Sequence, residues 1–321
     1  MWPSFPVVLL SIVSLLKAAA IDPATELPVV FAPGVISGPD DDASPAFSPD
    51  GRTVVFMRGT DDGSVLMVSR RSGEAWSTPV AAPFSGQWRD IDPAMAPDGS
   101  FLLFVSNRPT AAGGTPLDAT FGGKRRPGQG MNLWRVARQG DGWGVPARLP
   151  DNINTCPMTF APSVAADGSV YYIGCAPDGS SLQLMRAEWQ QGRYQAPHKV
   201  ALGDAGAQIR DPAVAPDRSF MVFSIKHALQ QPYRLAIAFH TSDGWNAPQD
   251  LGDAVNAGTH AMGAQLGCDH RSLYFYSDRH DAAARAGWNN GGDNIWRVSL
   301  APWLDAHGSE VPPAAAGCAR G

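Results

Sequence analysis

Three aspartates in this sequence open similar short stretches. Asp42 begins "DASPAF", Asp92 begins "DPAMAP" and Asp211 begins "DPAVAP". Two carboxylates held roughly 5–9.5 Å apart across an open space can perform the acid and nucleophile or base steps of glycoside hydrolysis. A second set of residues is basic: Arg89, Arg108, Arg210, Lys226 and Arg279. Guanidinium groups offer a planar fork of donors suited to carboxylate or phosphate. Trp88 and Trp288 stand near members of this set and add aromatic surface. A plainer account covers the same residues. An Asp before Pro often caps a turn by accepting backbone N–H groups. Adjacent Arg and Asp, as in "RDID" and "IRD", form surface ion pairs worth about 0–1 kcal/mol. Neighbouring arginines also favour ionised carboxylates, which does not suit a general acid.

Other chemistries lack their residue patterns. Asp40, Asp41 and Asp42 cluster hard oxygen ligands, but no loop spacing fixes them around a cation. His227, His260 and His280 show no metal-ligand spacing, and the four cysteines include no C-x-x-C pair. No metal or other cofactor is expected. No Gly-x-Ser-x-Gly nucleophile elbow is present. The net charge of −5 argues against a nucleic-acid partner, which needs a basic face.

The elements that would position these residues are read from a repeat. The copies are "SPAFSPDGRTVVF" (44–56), "DPAMAPDGSFLLF" (92–104), "APSVAADGSVYYI" (161–173), "DPAVAPDRSFMVF" (211–223) and "GAQLGCDHRSLYF" (263–275), at spacings of 48, 69, 50 and 52 residues. Such a period signals a propeller or a solenoid. Each copy predicts a hairpin: a short apolar arm, a Pro-Asp-Gly turn and an arm rich in β-branched and aromatic residues. Arg218 and His270 replace the turn glycine in two copies, at a cost of about 1–2 kcal/mol if the turn is left-handed there.

A third strand follows each hairpin: "VLMVSR", "NLWRVAR", "LQLMRAE", "YRLAIAF" and "NIWRVSL". A fourth carries an aromatic-x-x-Pro marker at Trp76–Pro79, Trp143–Pro146, Tyr194–Pro197 and Trp245–Pro248, and proline suits an exposed edge. Each repeat is therefore a four-stranded antiparallel propeller blade. The last repeat lacks its fourth strand. "TELPVVFAPGVISG" (25–38) aligns with "STPVAAPFSG" (77–86) and puts Pro28 at the marker position. The fold class expected is all-β, a five-bladed β-propeller whose N-terminal strand closes the last blade. A six-bladed ring is the alternative, and it needs one blade with no trace of the pattern. With 44% apolar residues the chain can bury the core this requires.

The "SPAFSPDG" and "DPAMAPDG" units resemble the WD40-like repeat of TolB-type propellers, which occur in exported bacterial proteins and in the propeller halves of some peptidases. The resemblance covers most of residues 25–300. It implies a propeller and an exported protein, and it does not imply a reaction.

Propeller strands alternate in direction, so the Pro-Asp-Gly turns lie on one face. The blade-entry loops and hairpin-exit loops lie on the other. That loop face collects Trp88, Arg89, Asp92, Arg108, Arg210, Asp211, Lys226, Arg279 and Trp288. Two long insertions, 110–130 and 280–293, rise from it, and loops of that length are usually functional. The function expected is a non-catalytic binding module holding an anionic peptide, glycan or protein there. The alternative is a glycoside hydrolase using Asp42, Asp92 and Asp211 around the channel, as five-bladed propellers of the arabinanase type do.

Face assignment also pairs the cysteines. Cys156 and Cys175 fall on the loop face; Cys268 and Cys318 fall on the turn face. Disulfides Cys156–Cys175 and Cys268–Cys318 are expected. Residues 1–20 read as a signal peptide, with an apolar core at Val7–Leu16 and Ala18 and Ala20 before the cut. No membrane span is expected in the mature chain, which would be periplasmic or secreted. The propeller is expected over 21–303 and a tail over 304–321.

Overall fold

The computed structural model describes residues 27–61, 63–121, 123–204, 206–280, 292–309 and 317–318. Residues 1–20, expected as a signal peptide, lie outside them. Among the described residues five antiparallel sheets of four or five strands are arranged as a five-bladed propeller, beside two two-stranded ribbons. The inner strands are Asp42–Phe47, Asp90–Met95, Phe160–Val164, Gln208–Val214 and Met262–Leu266, and each touches the inner strand on either side, so the ring closes. The six-bladed alternative does not arise.

Apolar residues run without interruption along the second strand of each blade because that strand is buried on both faces. Neighbouring side chains serve opposite seams. Tyr171 packs toward the fourth blade and Tyr172 toward the second. Phe220 and Val222 enter the seam with the fifth blade, while Met221 and Phe223 enter the seam with the third. The core is thus divided into separate clusters between successive blades.

The hairpin turns take the conformation the repeat implies. Gly51, Gly99 and Gly168 have φ of 65°, 72° and 82°, and Arg218 and His270 occupy the same left-handed region at 64° and 53°. The turn aspartates stabilise it: Asp98 Oδ1 accepts from the Ser100 N–H at 2.9 Å and Asp217 Oδ1 from the Ser219 N–H at 3.0 Å.

The marker prolines split the outer strand. Trp76 and Trp143 sit in one short pairing, and a second begins directly after Pro79, Pro146, Pro197 and Pro248. Proline has no N–H to give to the ladder, so the strand leaves it there. Pro28 precedes Val29–Val30 in the same way, and this segment pairs with Asn294–Ser299 through Val29–Arg297 and Val30–Trp296. The N-terminal strand therefore completes the last blade.

Both disulfides form as expected, Cys156–Cys175 with Cα atoms 6.2 Å apart and Cys268–Cys318 at 5.8 Å. One element was not legible in advance. Ala301–His307 is a helix that crosses the expected start of the tail; Trp303 and Leu304 are buried in the seam between the fourth and fifth blades. Its Pro302 in the first turn and the left-handed Gly308 after its end fit helix boundaries.

Candidate functional site

The centre of the ring is built from one repeated distortion. Every inner strand shifts register against its neighbour at the same place. The residue at that bulge is Ser44, Asp92, Ala161, Asp211 or Gly263, with φ of 50°, 48°, 50°, 49° and 65°. The four non-glycine members precede proline, which disfavours the right-handed helical region. A left-handed non-glycine residue costs about 1–2 kcal/mol. Hydrogen bonds between blades offset this. Asp92 Oδ2 accepts from the Ala161 N–H of the next blade at 3.3 Å, and Ser44 Oγ lies 3.5 Å from Asp92 Oδ1. Asp211 Oδ2 accepts from the Gly263 N–H of the next blade and from Ser224 Oγ, both at 3.1 Å. Gly263 is required: a Cβ there would lie 2.4 Å from the Tyr276 ring.

Asp92 and Asp211 feel each other across this ring. Burial, then the charge of Asp211, pushes the Asp92 carboxyl up to about 7, against the Ala161 N–H and Arg89. Burial raises Asp211 as well, opposed by the Gly263 N–H, Ser224 and Arg210. Burial, followed by both carboxylates, holds the Tyr276 phenol well above its ordinary value.

The third aspartate is elsewhere. Asp42 lies two residues before the ring position of its strand, which Ser44 holds. It is fully buried, and Arg58 Nε and Nη2 donate to its two oxygens at 2.7 and 3.2 Å. Grouping Asp42 with Asp92 and Asp211 is corrected by this register.

A cleft of ≈ 1190 Å³ opens on the loop face, lined by residues of the first four blades. Trp88, Arg89, Arg126 and Arg210 line it together with the apolar side chains of Met131, Met158, Phe160 and Leu182. The inserted loop roofs it through Pro116, Ala119, Gly128 and Gln129. That loop is tied down. Asn107 Oδ1 accepts from the Arg89 N–H at 2.9 Å, its Nδ2 donates to Gly128 O at 2.8 Å, and Asp118 Oδ1 accepts from the Gly128 N–H at 2.8 Å. Arg210 lies 5.5 Å over the Phe160 ring. Among the described residues Arg89, Arg126 and Arg210 take part in no ion pair, whereas the other ion pairs engage Arg58, Arg108, Arg125, Arg148, Arg186, Arg218, Arg234 and Arg271.

The remaining basic residues of the sequence reading do not line the cleft. Arg108 is 8% exposed; its Nη2 donates to Asp90 at 3.0 Å and to Phe84 O, and it covers the Phe104 ring at 4.9 Å. Arg279 donates to Ala254 O at 2.8 Å and lies 4.8 Å over Trp296. These two are repeat equivalents: each backbone N–H bonds the serine two residues earlier, Ser106 or Ser277, at 3.2 Å. The matching "SNR" and "SDR" strings carried that signal. Lys226 sits 4.5 Å over the Tyr233 ring. Trp288 lies outside the described residues. Arg126 belongs to the insertion 110–130 expected on the loop face, whereas Tyr276 and the two methionines were not expected at the site. The blade alignment does show Ala161 and Gly263 in register with Asp92 and Asp211, but nothing in the sequence points to Tyr276.

The fold and this opening define a five-bladed β-propeller with a basic, aromatic cleft on its loop face. No protein-family model and no curated protein sequence matches the chain. Among solved structures it is similar to a hypothetical protein from Leishmania major, at 10% identity over 90% of this chain and 94% of that one, with a TM-score of 0.51. It is also similar to an α-L-arabinofuranosidase from Podospora anserina solved with cellotriose, at 13% identity over 86% of this chain and 96% of that one, TM-score 0.47. A TolB from Acinetobacter baumannii matches at 13% identity over 81% of this chain, TM-score 0.43, and the match spans 55% of the TolB chain.

Proposed function

We propose that this chain is an exported, non-catalytic binding propeller of the TolB-like repeat kind, which holds a carboxylate-bearing ligand in the cleft under loop 110–130. One observation carries the reading: three arginines without ion-pair partners among the described residues converge on a single cleft. A guanidinium in that state is free to form charge-assisted, bidentate bonds to a carboxylate. The wall of Met131, Met158, Phe160 and Leu182 favours a carboxylate on an apolar body, so a peptide chain end fits better than an acidic sugar. Trp88 adds a flat apolar surface beside Arg89. Two disulfides support an oxidising compartment. Among the described residues no helix is long and apolar enough to cross a membrane.

The test is an array of peptides with free or amidated C-termini, beside uronic-acid and neutral glycans. Wild type is expected to retain free-acid peptides and to release their amides. Arg210→Ala should weaken that binding about tenfold or more, the worth of one hydrogen bond to a charged group, with little change in melting temperature. Unchanged binding with a large stability loss would show that Arg210 only ties blades together. Retention of uronic-acid glycans alone would assign the cleft to acidic sugars.

A second reading, glycoside hydrolysis, is favoured by the paired Asp92 and Asp211, because a raised carboxyl is what a general acid needs. It is expected to show as turnover of aryl glycosides that Asp92→Asn lowers at least a hundredfold, within the usual worth of a positioned acid of about 10²–10⁴. Absence of turnover across pentosides and hexosides would end this reading.

A further inference from the structure

A second opening lies apart from the cleft. It is a groove of ≈ 940 Å³ between the second and third blades, and the two openings share no lining residue. Ala147, Leu149 and Pro150 give it an apolar lining, and it takes in the hairpin turns at Asp98 and Gly168. Trp189 distinguishes it. In four blades the end of the third strand pairs with the marker aromatic: Arg71 with Trp76, Arg138 with Trp143, Trp189 with Tyr194 and His240 with Trp245. Three of these positions carry a basic residue type, and the third blade carries tryptophan. The indole is 43% exposed, yet it is fixed in place. It meets the Tyr194 ring edge-on with centroids 4.8 Å apart. A Cβ on Gly168 would lie 3.1 Å from it, so only a glycine in that turn leaves it room. An aromatic ring held rigid and half exposed is a preformed stacking surface, because covering it costs little side-chain entropy.

The polar groups of the groove offer donors. Arg135 lies 4.3 Å over the Phe101 ring. Stacking fixes the guanidinium plane and leaves its N–H edge for a partner. Arg193 stands in the outer hairpin itself, next to Tyr194. Both arginines are exposed, and among the described residues neither takes part in an ion pair. The acids are already engaged. Asp98 Oδ1 accepts from the Ser100 N–H at 2.9 Å and from its hydroxyl at 2.7 Å. Asp167 Oδ1 accepts from the Ser169 N–H at 2.9 Å, and its Oδ2 pairs with Arg218 at 3.0 Å. Asn152 ties one wall to the other: its Nδ2 donates to Tyr194 O at 3.0 Å and to Gln195 O at 3.3 Å.

We propose that this groove is a second binding site and that it takes an acidic saccharide. The C–H face of a pyranose ring is apolar and covers an indole. A carboxylate or sulfate on the same sugar, or on its neighbour, meets the guanidiniums of Arg135 and Arg193 through charge-assisted bonds. A neutral sugar leaves both cations unused. A proline-rich peptide also covers Trp189, but it brings no anion. This inference does not depend on the loop-face cleft or on what that cleft binds.

The experiment is isothermal titration of the full chain with tetragalacturonic acid, a sulfated carrageenan tetrasaccharide, cellotetraose and decaproline. At least one of the two acidic probes is expected to bind, and which one does so tells whether the acid is a carboxylate or a sulfate. Trp189→Ala should weaken that binding about tenfold by removing the stacking surface. Arg135→Gln should weaken it about tenfold by removing a charged donor. Arg193→Gln, in an exposed turn, replaces Trp189→Ala should that variant fail to fold. Arg210→Ala, in the loop-face cleft, is expected to change nothing. Binding that survives Trp189→Ala and Arg135→Gln but is lost in Arg210→Ala places the saccharide in the cleft and overturns the inference. Equal affinity for cellotetraose, or binding of decaproline in place of the acidic probes, overturns the ligand class. Failure of both acidic probes to bind overturns the inference outright and leaves the peptide reading of the cleft standing.

Discussion

Deletion of residues 21–36 is expected to abolish cooperative folding. The segment does more than supply the two-residue strand of the last blade. Phe31 packs edge-on against Phe47, Trp76 and Tyr274, with ring centroids 5.5, 5.6 and 5.1 Å away. Ile36 is fully buried with Val54, Phe56 and Ile295. The Ile36 carbonyl also accepts from Arg58 Nη2 at 2.9 Å, the arginine that neutralises Asp42. Removing the segment opens two sheet edges and empties the seam between the fifth and first blades. Ile36→Ala alone should cost about 2–5 kcal/mol, against a total stability of about 5–15 kcal/mol. Thermal unfolding followed by near-UV circular dichroism measures both. A truncated chain that unfolds cooperatively at the wild-type temperature would show that the ring does not depend on this closure.

The second large effect lies at Asp90. Its carboxyl is fully buried and accepts from Ser85 Oγ at 2.7 Å and from Arg108 Nη2 at 3.0 Å. Asp90→Ala leaves Arg108 buried without its counter-charge, at a cost of about 3–5 kcal/mol. Asp90→Leu combined with Arg108→Met should recover most of that loss, since a buried pair replaced by apolar side chains of similar volume is often neutral. Binding of free-acid peptides by the double variant should match wild type. A double variant as unstable as Asp90→Ala, or one that folds but no longer binds, would contradict a purely structural role for Arg108.

The sequence by itself determined the architecture. Five hairpins at this spacing signal a propeller or a solenoid, and the marker prolines with the N-terminal closing strand pointed to a five-bladed ring, because an aspartate-bearing turn and two apolar arms are local instructions. The marker prolines placed the ladder breaks, and Pro28 identified the closing strand, because the missing N–H acts wherever the ring puts it. Face alternation paired the cysteines, since strand direction depends on strand count alone. The site was different. Arg89, Arg108, Arg210 and Arg279 are one residue type in similar loops, and only the tertiary structure separated them. Arg108 and Arg279 turn into the blades, where carbonyl oxygens of the preceding loop and an aromatic face await them; Arg89 and Arg210 turn into the cleft. Asp42 is different, because the repeat alignment already matches it with Asp90 and not with Asp92, and the structure gives Asp42 and Asp90 equivalent buried ion pairs with Arg58 and Arg108. The direction a long charged side chain takes depends on what the neighbouring blade presents within a few ångströms. Those neighbours lie 16 to 25 residues away for Asp42, Arg108 and Arg279, and 52 to 69 residues away for the ring contacts of Asp211 and Asp92, beyond the reach of any local pattern.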